Sequence, residues 1–352
     1  MDQHQRRSQN QSFFSVKKNL AVAGACLGFL FVACKSVAPA IPGLQPPQDY
    51  LLIKGVKQIT FEGQNDSPQF SNDGTRMLFV SRSRLHHKNT QIYEMNLQRN
   101  KERRITFQDG QVRNPIYISD NSIIYASNTD EIKENLTEDG VIADVKDYPP
   151  LDLYESDLYG NDIERLTHSA GYDDEPNYIP EPRPHLLFTS KRNENLGIFK
   201  YDFKTKATTP VLFEKGKDRW SPAISNSPRQ MVWLEKDSGK QKTRIMMAAL
   251  KDLKPKVLKD EEHEFADLHF IPNSTQIIYS VKRKGQVLFQ IEAYDYEKKC
   301  TQVVFSGADS LIQPAIDRTG TNIAFTRVIN ETRQVYMVEL PKNFGPCIES
   351  VP

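Results

Sequence analysis

Six short apolar runs, each built round one aromatic residue, recur along this 352-residue chain and limit its fold more than any other feature. They are Phe79 in Met77-Leu78-Phe79-Val80, Tyr125 in Ile123-Ile124-Tyr125-Ala126 and Phe188 in Leu186-Leu187-Phe188-Thr189, then Trp233, Tyr279 and Phe325. Their spacings are 46, 63, 45, 46 and 46 residues. A proline stands about eleven residues before five of them (Pro68, Pro115, Pro176, Pro222 and Pro314), and Leu268 takes that place in the fifth unit. Turn sequences such as Asn72-Asp73-Gly74 and Arg318-Thr319-Gly320 lie between proline and aromatic and suit a tight hairpin. A polar loop and a third apolar run follow each aromatic, as in Ile92-Tyr93-Glu94-Met95 and Val335-Tyr336-Met337. A fourth run opens the next unit, most clearly Ile59-Thr60, Ile105-Thr106 and Leu166-Thr167.

Four short strands in roughly 40–45 residues, repeated, is the pattern of a β-propeller. Blades stack face on face, so their middle strands are covered on both sides and read as continuous apolar runs. The chain opens with a fourth-type strand near Lys57–Thr60 and ends after a third-type strand near Leu340. The expectation is an all-β, six-bladed propeller over residues 50–340, with the N-terminal strand completing blade six and hiding two open edges.

The unit Ile59-Thr60, Ser67-Pro68-Gln69-Phe70-Ser71-Asn72-Asp73-Gly74, Leu78-Phe79-Val80-Ser81 and Ile92-Tyr93 resembles the WD40-like repeat of TolB-type propellers. The match is close in blade one, fair in blades two, three and six, and degenerate in four and five. It has no counterpart of the α/β domain that precedes the propeller in TolB. The resemblance therefore implies a periplasmic protein-interaction module rather than a role in the Tol system itself.

Ahead of the repeats, Arg6, Arg7, Lys17 and Lys18 precede an uncharged run from Leu20 to Cys34. A spanning helix needs roughly 20 apolar residues, so this run is short for an anchor and suits the apolar core of a signal peptide. Its end, Leu30-Phe31-Val32-Ala33-Cys34, resembles the lipobox of bacterial lipoproteins, with Phe31 where the family usually has Leu. That resemblance implies cleavage before Cys34 and acylation of its thiol, so that 1–34 is a lipoprotein signal and the membrane is reached through a lipid on Cys34. An uncleaved short anchor, a signal cut elsewhere, and acylation at Cys26 are the alternatives. Lys35 follows the cysteine where Asp would mark inner-membrane retention, which favours an outer-membrane lipoprotein facing the periplasm over an inner-membrane or soluble periplasmic protein. Residues 35–49, rich in proline, read as an extended tether, and 341–352 as a C-terminal tail.

A net charge of +1 excludes a strongly basic nucleic-acid binder, and four cysteines without a CxxC pair exclude a zinc ribbon. Sequence motifs for chemistry are sparse: no GxSxG, HExxH, phosphate loop or EF-hand spacing occurs. His86-His87 reads as a solvated hairpin loop, and Asp173-Asp174-Glu175 either holds a divalent cation or simply enters a strand. The expectation is therefore a non-enzyme without cofactor or metal. Cys300 should begin the outer strand of blade five and Cys347 follows the last strand of blade six. In an oxidising compartment they are candidates for a disulfide that pins the tail; two free thiols are the alternative.

In a propeller the loops leading into the inner strands surround one channel mouth, and the loops joining second to third strands lie farther out on the same face. The six inbound loops sum to −9, whereas the outer loops of blades one, three, four, five and six are net basic. An acidic mouth inside a broken basic rim follows, able to steer a charged partner. The outer loop of blade two, 128–151, is about 17 residues longer than its peers and carries seven acids against two bases, so it is either functional or disordered. The residues just before the inner strands, Asp66, Arg113, Asp174, Arg219, Trp220 and Gln313, are the expected partner contacts, with Trp220 the expected anchor. The resulting reading is a lipid-anchored, monomeric propeller that binds an envelope protein at its channel mouth. The competing reading is a carbohydrate-active, lyase-like or small-ligand-binding propeller, for which His168 and His263 are the histidines placed in inbound loops.

Overall fold

The structure, a computed structural model, describes residues 55–130, 148–192, 194–226 and 229–348. Cys34 with the signal-like segment, the tether, and residues 131–147 of the long blade-two loop lie outside the described residues. Within them, 24 strands form six four-stranded antiparallel sheets, and no α-helix occurs.

The chain starts with β1 (Lys57–Gln58). The first blade is β2 (Gln64–Phe70), β3 (Arg76–Arg82), β4 (Gln91–Asn96) and β5 (Lys101–Arg104). The second is β6 (Val112–Tyr117), β7 (Ser122–Ser127), β8 (Asp152–Asp157) and β9 (Glu164–Arg165). The third is β10 (Asp173–Ile179), β11 (His185–Arg192), β12 (Asn195–Asp202) and β13 (Ala207–Leu212). The fourth is β14 (Lys217–Ile224), β15 (Gln230–Asp237), β16 (Thr243–Ala249) and β17 (Lys256–Glu261). The fifth is β18 (Glu264–Phe270), β19 (Gln276–Lys282), β20 (Gln290–Asp295) and β21 (Cys300–Phe305). The sixth is β22 (Ser310–Ile316), β23 (Asn322–Ile329) and β24 (Thr332–Glu339), with β1 as its outermost strand. Each inner strand touches the next, and β22 touches β2, so the blades close into a ring: a six-bladed β-propeller.

The apolar runs are buried on both faces because alternate residues serve different neighbours. In β3, Met77 and Phe79 join the core shared with blade six, while Leu78 between them joins the core shared with blade two. In β11, Leu186 and Phe188 face blade two, and Leu187 faces blade four. Period-2 alternation is thus intact, but both of its faces are dry.

Ring closure rests on a specific polar device. β1 pairs with β24, Lys57 opposite Met337 and Gln58 opposite Tyr336, and Ile59 N continues the ladder to Val335 O at 2.8 Å. The buried Thr60 hydroxyl donates to Gln334 Oε1 at 2.7 Å and accepts from Val335 N at 2.9 Å. Thr106 does the same with Gln91 and Ile92, and Thr167 with Asp152 and Leu153. The threonine of each Ile-Thr or Leu-Thr pair is therefore a lock between third and fourth strands.

Candidate functional site: the channel and its mouth

The inner strands place the site, and they do so through a feature repeated six times. Each has a β-bulge, with register breaking between Asp66/Gln69, Arg113/Ile116, Asp174/Asn177, Trp220/Ala223, Ala266/His269 and Ile312/Ala315. At each bulge one non-glycine residue is left-handed: Ser67 (φ +54°), Asn114 (+44°), Glu175 (+56°), Ser221 (+52°), Asp267 (+56°) and Gln313 (+55°). Such residues cost about 1–2 kcal/mol each, and they persist where surrounding bonds over-determine them. The proline that follows five of them needs no ladder hydrogen bond inside a bulge.

This corrects the reading of the partner-contact residues. The prolines sit inside the inner strands and do not begin them, so Asp66, Arg113, Asp174, Arg219, Trp220 and Gln313 are strand residues, not loop residues. Of the six, only Gln313 lines the channel; Ser67, Asn114, Glu175 and Ser221, one place on from Asp66, Arg113, Asp174 and Trp220, complete the ring together with Asp267 of blade five, where no candidate was placed. A proline marks a strand start and a bulge equally well, and sequence offers no way to separate the two.

The five displaced residues have other surroundings. Arg219 is buried, its Nε 2.7 Å from Glu235 Oε2 and its Nη2 2.8 Å from Glu214 Oε2. Trp220 packs between blades, against apolar clusters on both sides of β14. Asp66 meets Arg333 Nη1 of blade six at 3.1 Å. Asp174 accepts from Asn114 Nδ2 of blade two at 2.9 Å and from Tyr172 OH at 3.0 Å, with the charge of Arg113 acting on it.

Round the neck, these contacts latch one blade to the next. Glu175 Oε2 accepts from Ser221 N of blade four at 2.7 Å and from Thr189 Oγ1 at 2.5 Å. Asp267 Oδ2 accepts from Gln313 N of blade six at 2.9 Å and from Ser280 Oγ at 2.8 Å. Gln313 Oε1 accepts from Ser67 N of blade one at 3.0 Å, and its Nε2 donates to Ser67 Oγ at 3.1 Å. The acid or amide at one bulge thus caps the backbone N–H of the next.

Below the neck the channel encloses about 590 Å³. One turn of the pleat below the bulges, blades one, three and five present Gln69, Asn177 and His269, while Ile116 stands in blade two. Burial holds the Glu175 carboxyl up at about 7, with Asp174 and Asp267 adding repulsion. Burial also raises Asp174 and Asp267, and it pushes the His269 imidazole down to about 4. None of Glu175, Asp267, Gln69, Asn177 and His269 is among the sequence candidates, apart from Glu175 as the end of the acidic run. Glu175 precedes Pro176 and Asp267 precedes Leu268 at the matching place in its repeat, but only the bulge turns that position into the channel.

The expected acidic mouth and basic rim are largely paired with each other. Glu62 meets Arg84, Asp173 meets Arg192, Glu264 and Glu262 meet Lys282 and Lys284, and Asp309 meets Arg327. First and second strands are antiparallel neighbours, so the inbound loop and the outer loop of one blade emerge side by side and their opposite charges meet. The run Asp173-Asp174-Glu175 sends its three carboxylates to three separate sets of partners, and no cluster of three or more metal-ligating side chains occurs among the described residues.

His168 is exposed, and His263 lies 3.4 Å from Glu261; neither lines the channel. His87 bonds Asn89 O in its own loop and Tyr93 OH on the adjoining β4. Cys300 and Cys347 are joined by a disulfide with Cα atoms 5.3 Å apart.

Also on the mouth side, a depression of about 310 Å³ is lined by Tyr148, Trp220, Phe265, Lys236 and Asp218 among others. Ten large apolar side chains are exposed among the described residues, and seven of them lie on the loops at this end of the strands. These are Phe61, Leu85, Phe107, Tyr148, Phe213, Val287 and Leu288, with Leu85 and Val287 87% and 86% exposed.

No family model matches the chain, and no curated protein matches it. Solved structures do. TolB from Acinetobacter baumannii superposes with a TM-score of 0.54 at 20% identity, over 72% of this chain and 57% of that one. A putative TolB from Agrobacterium tumefaciens gives 0.55 at 12% identity, over 81% and 97%. An oligogalacturonate lyase from Vibrio parahaemolyticus gives 0.55 at 11% identity, over 82% and 94%. The chain thus spans little more than half of the first of these and nearly all of the other two. At such identities the likeness establishes the TolB-like propeller fold and nothing finer.

Proposed function

We propose that the protein is a binding module of the cell envelope, held at the outer membrane by a lipid on Cys34 and facing the periplasm, which docks a protein partner on its channel-mouth face. One observation carries this reading: seven of the ten exposed large apolar side chains crowd the loops of that single face. Scattered apolar groups are ordinary on a surface, whereas concentration on one face marks an interaction site. The aromatic depression beside them suits one anchoring side chain of a partner, and Trp220, packed between blades, is among its lining residues. Likeness to TolB structures supports the location only as far as the fold does, and the lyase likeness has no matching convergence of His168 and His263 in the channel.

Site-specific photo-crosslinking in intact envelopes tests the reading. A crosslinkable residue at Leu85, Val287 or Phe61 is expected to trap one protein of defined mass. The same residue at Tyr159, on the opposite side, is expected to trap none. Equal trapping from both sides, or none from the mouth, would overturn it. Labelling with palmitate that disappears in Cys34→Ala is the matching test of the anchor.

A further inference from the structure

The channel below the mouth has a lining of its own, distinct from the exposed apolar loops. Glu175 and Asp267 each use one carboxylate oxygen to cap the next blade. Their other oxygens, Oε1 and Oδ1, meet no hydrogen-bond donor among the described residues. Among the described residues two side-chain atoms are both fully buried and unpartnered, Gln230 Oε1 and Trp233 Nε1, so the free carboxylate oxygens, which are not of that kind, open onto the channel that Glu175 and Asp267 line. Among the described residues no lysine or arginine lies within ion-pairing distance of either acid, in contrast to Asp66 and Asp173, although Arg318 lines the same channel.

The wall farther down points to a ligand by separate means. The Gln69 amide and both ring nitrogens of His269 have no partner among the described residues, and Asn177 uses only its Nδ2, toward Glu175 O and Pro222 O. Burial keeps the His269 imidazole neutral, so it offers an acceptor nitrogen. A cavity of about 590 Å³ is of ligand size, far larger than a bare ion needs, and it lacks a metal-ligating cluster among the described residues.

We propose that the channel binds an organic cation, an alkylammonium or guanidinium group held between Glu175 Oε1 and Asp267 Oδ1, with the rest of the ligand running down past Gln69, Asn177 and His269. Latches fix both carboxylates before the ligand arrives, and a half-dry channel strengthens the attraction. The cation is either a free amine or a basic side chain threaded in from a partner, since both present the same chemistry.

Titration calorimetry of the full-length protein distinguishes them, using 1,4-diaminobutane, a short extended peptide with one terminal lysine, and calcium chloride and butane-1,4-diol as controls. Saturable binding of the diamine assigns a free amine, and binding of the peptide alone assigns a partner's side chain. Either is expected to weaken at least tenfold in the double variant Glu175→Gln, Asp267→Asn, whose amides keep the acceptor oxygens of the latches. Gln69→Leu, which removes no protein hydrogen bond, is expected to weaken binding several-fold at unchanged melting temperature. Absence of binding by both amines, binding indifferent to the double variant, or preference for calcium would each overturn the proposal and leave the crosslinking test of the mouth unaffected.

Discussion

Residues that look like functional motifs in the repeat are mostly locks. Asp73 of Ser-x-Asp-Gly accepts from Ser71 Oγ at 2.6 Å and Thr75 N at 3.0 Å, which holds its carboxyl down at about 2, and Gly74 supplies the φ of +68° that ends the turn. Thr106 bridges Gln91 Oε1 and Ile92 N in a buried site. Thr106→Val leaves both without a partner and is expected to cost about 1–3 kcal/mol in denaturant unfolding. Glu175 behaves differently, because its folded pKa is raised to about 7 from an ordinary 4.5. The folded state then binds more protons than the unfolded state between those values. Stability is fully present below about pH 4.5 and is lost as pH rises through 7. Glu175→Gln keeps the latch without the charge, so its melting temperature should match the parent at pH 4.5 and exceed it at pH 8. A difference between variant and parent that is the same at both pH values would refute this.

Among elements, the inner strand and the tail carry the lesson. The inner strands spend six left-handed residues to turn side chains into the neck, and the same residues connect blades three to four, five to six and six to one. The tail lies along β21: Ile348 N donates to Thr301 O at 2.7 Å, Gln302 Nε2 donates to Gly345 O at 2.6 Å, and Phe344 packs on the core between blades five and six. The disulfide fixes that arrangement over a sequence separation of 47 residues. Cys300→Ser, Cys347→Ser is expected to lose about 2–4 kcal/mol of stability and to expose the tail to limited proteolysis. An unchanged cleavage pattern would show that the packing of Phe344 suffices.

At the scale of the molecule, stability depends on closure. The two residues of β1 and the Thr60–Gln334 lock join the start of the propeller to its end, about 275 residues apart. Deleting the chain through Thr60 uncovers the edge of β24, and an uncovered edge pairs with other copies. The expected outcome is a lower melting temperature together with oligomers in size-exclusion chromatography with light scattering. A monomer with the parent melting temperature would mean that the interblade cores close the ring unaided.

The six-fold architecture, its closure by the first strand, and the strand holding Cys300 were legible in the sequence by itself, because two-sided burial leaves continuous apolar runs and turn residues punctuate them. The channel ring was not legible: whether a proline opens a strand or occupies a bulge depends on pairing with the second strand, and a shift of one residue exchanges Asp66 and Trp220 for Ser67 and Ser221. Nor was the charge of the mouth, since a loop's net charge carries no record of the neighbouring loop that neutralises it. Only the tertiary structure brings the acids of one blade to the amides of the next and leaves Glu175 and Asp267 facing the channel with no ion-pair partner among the described residues.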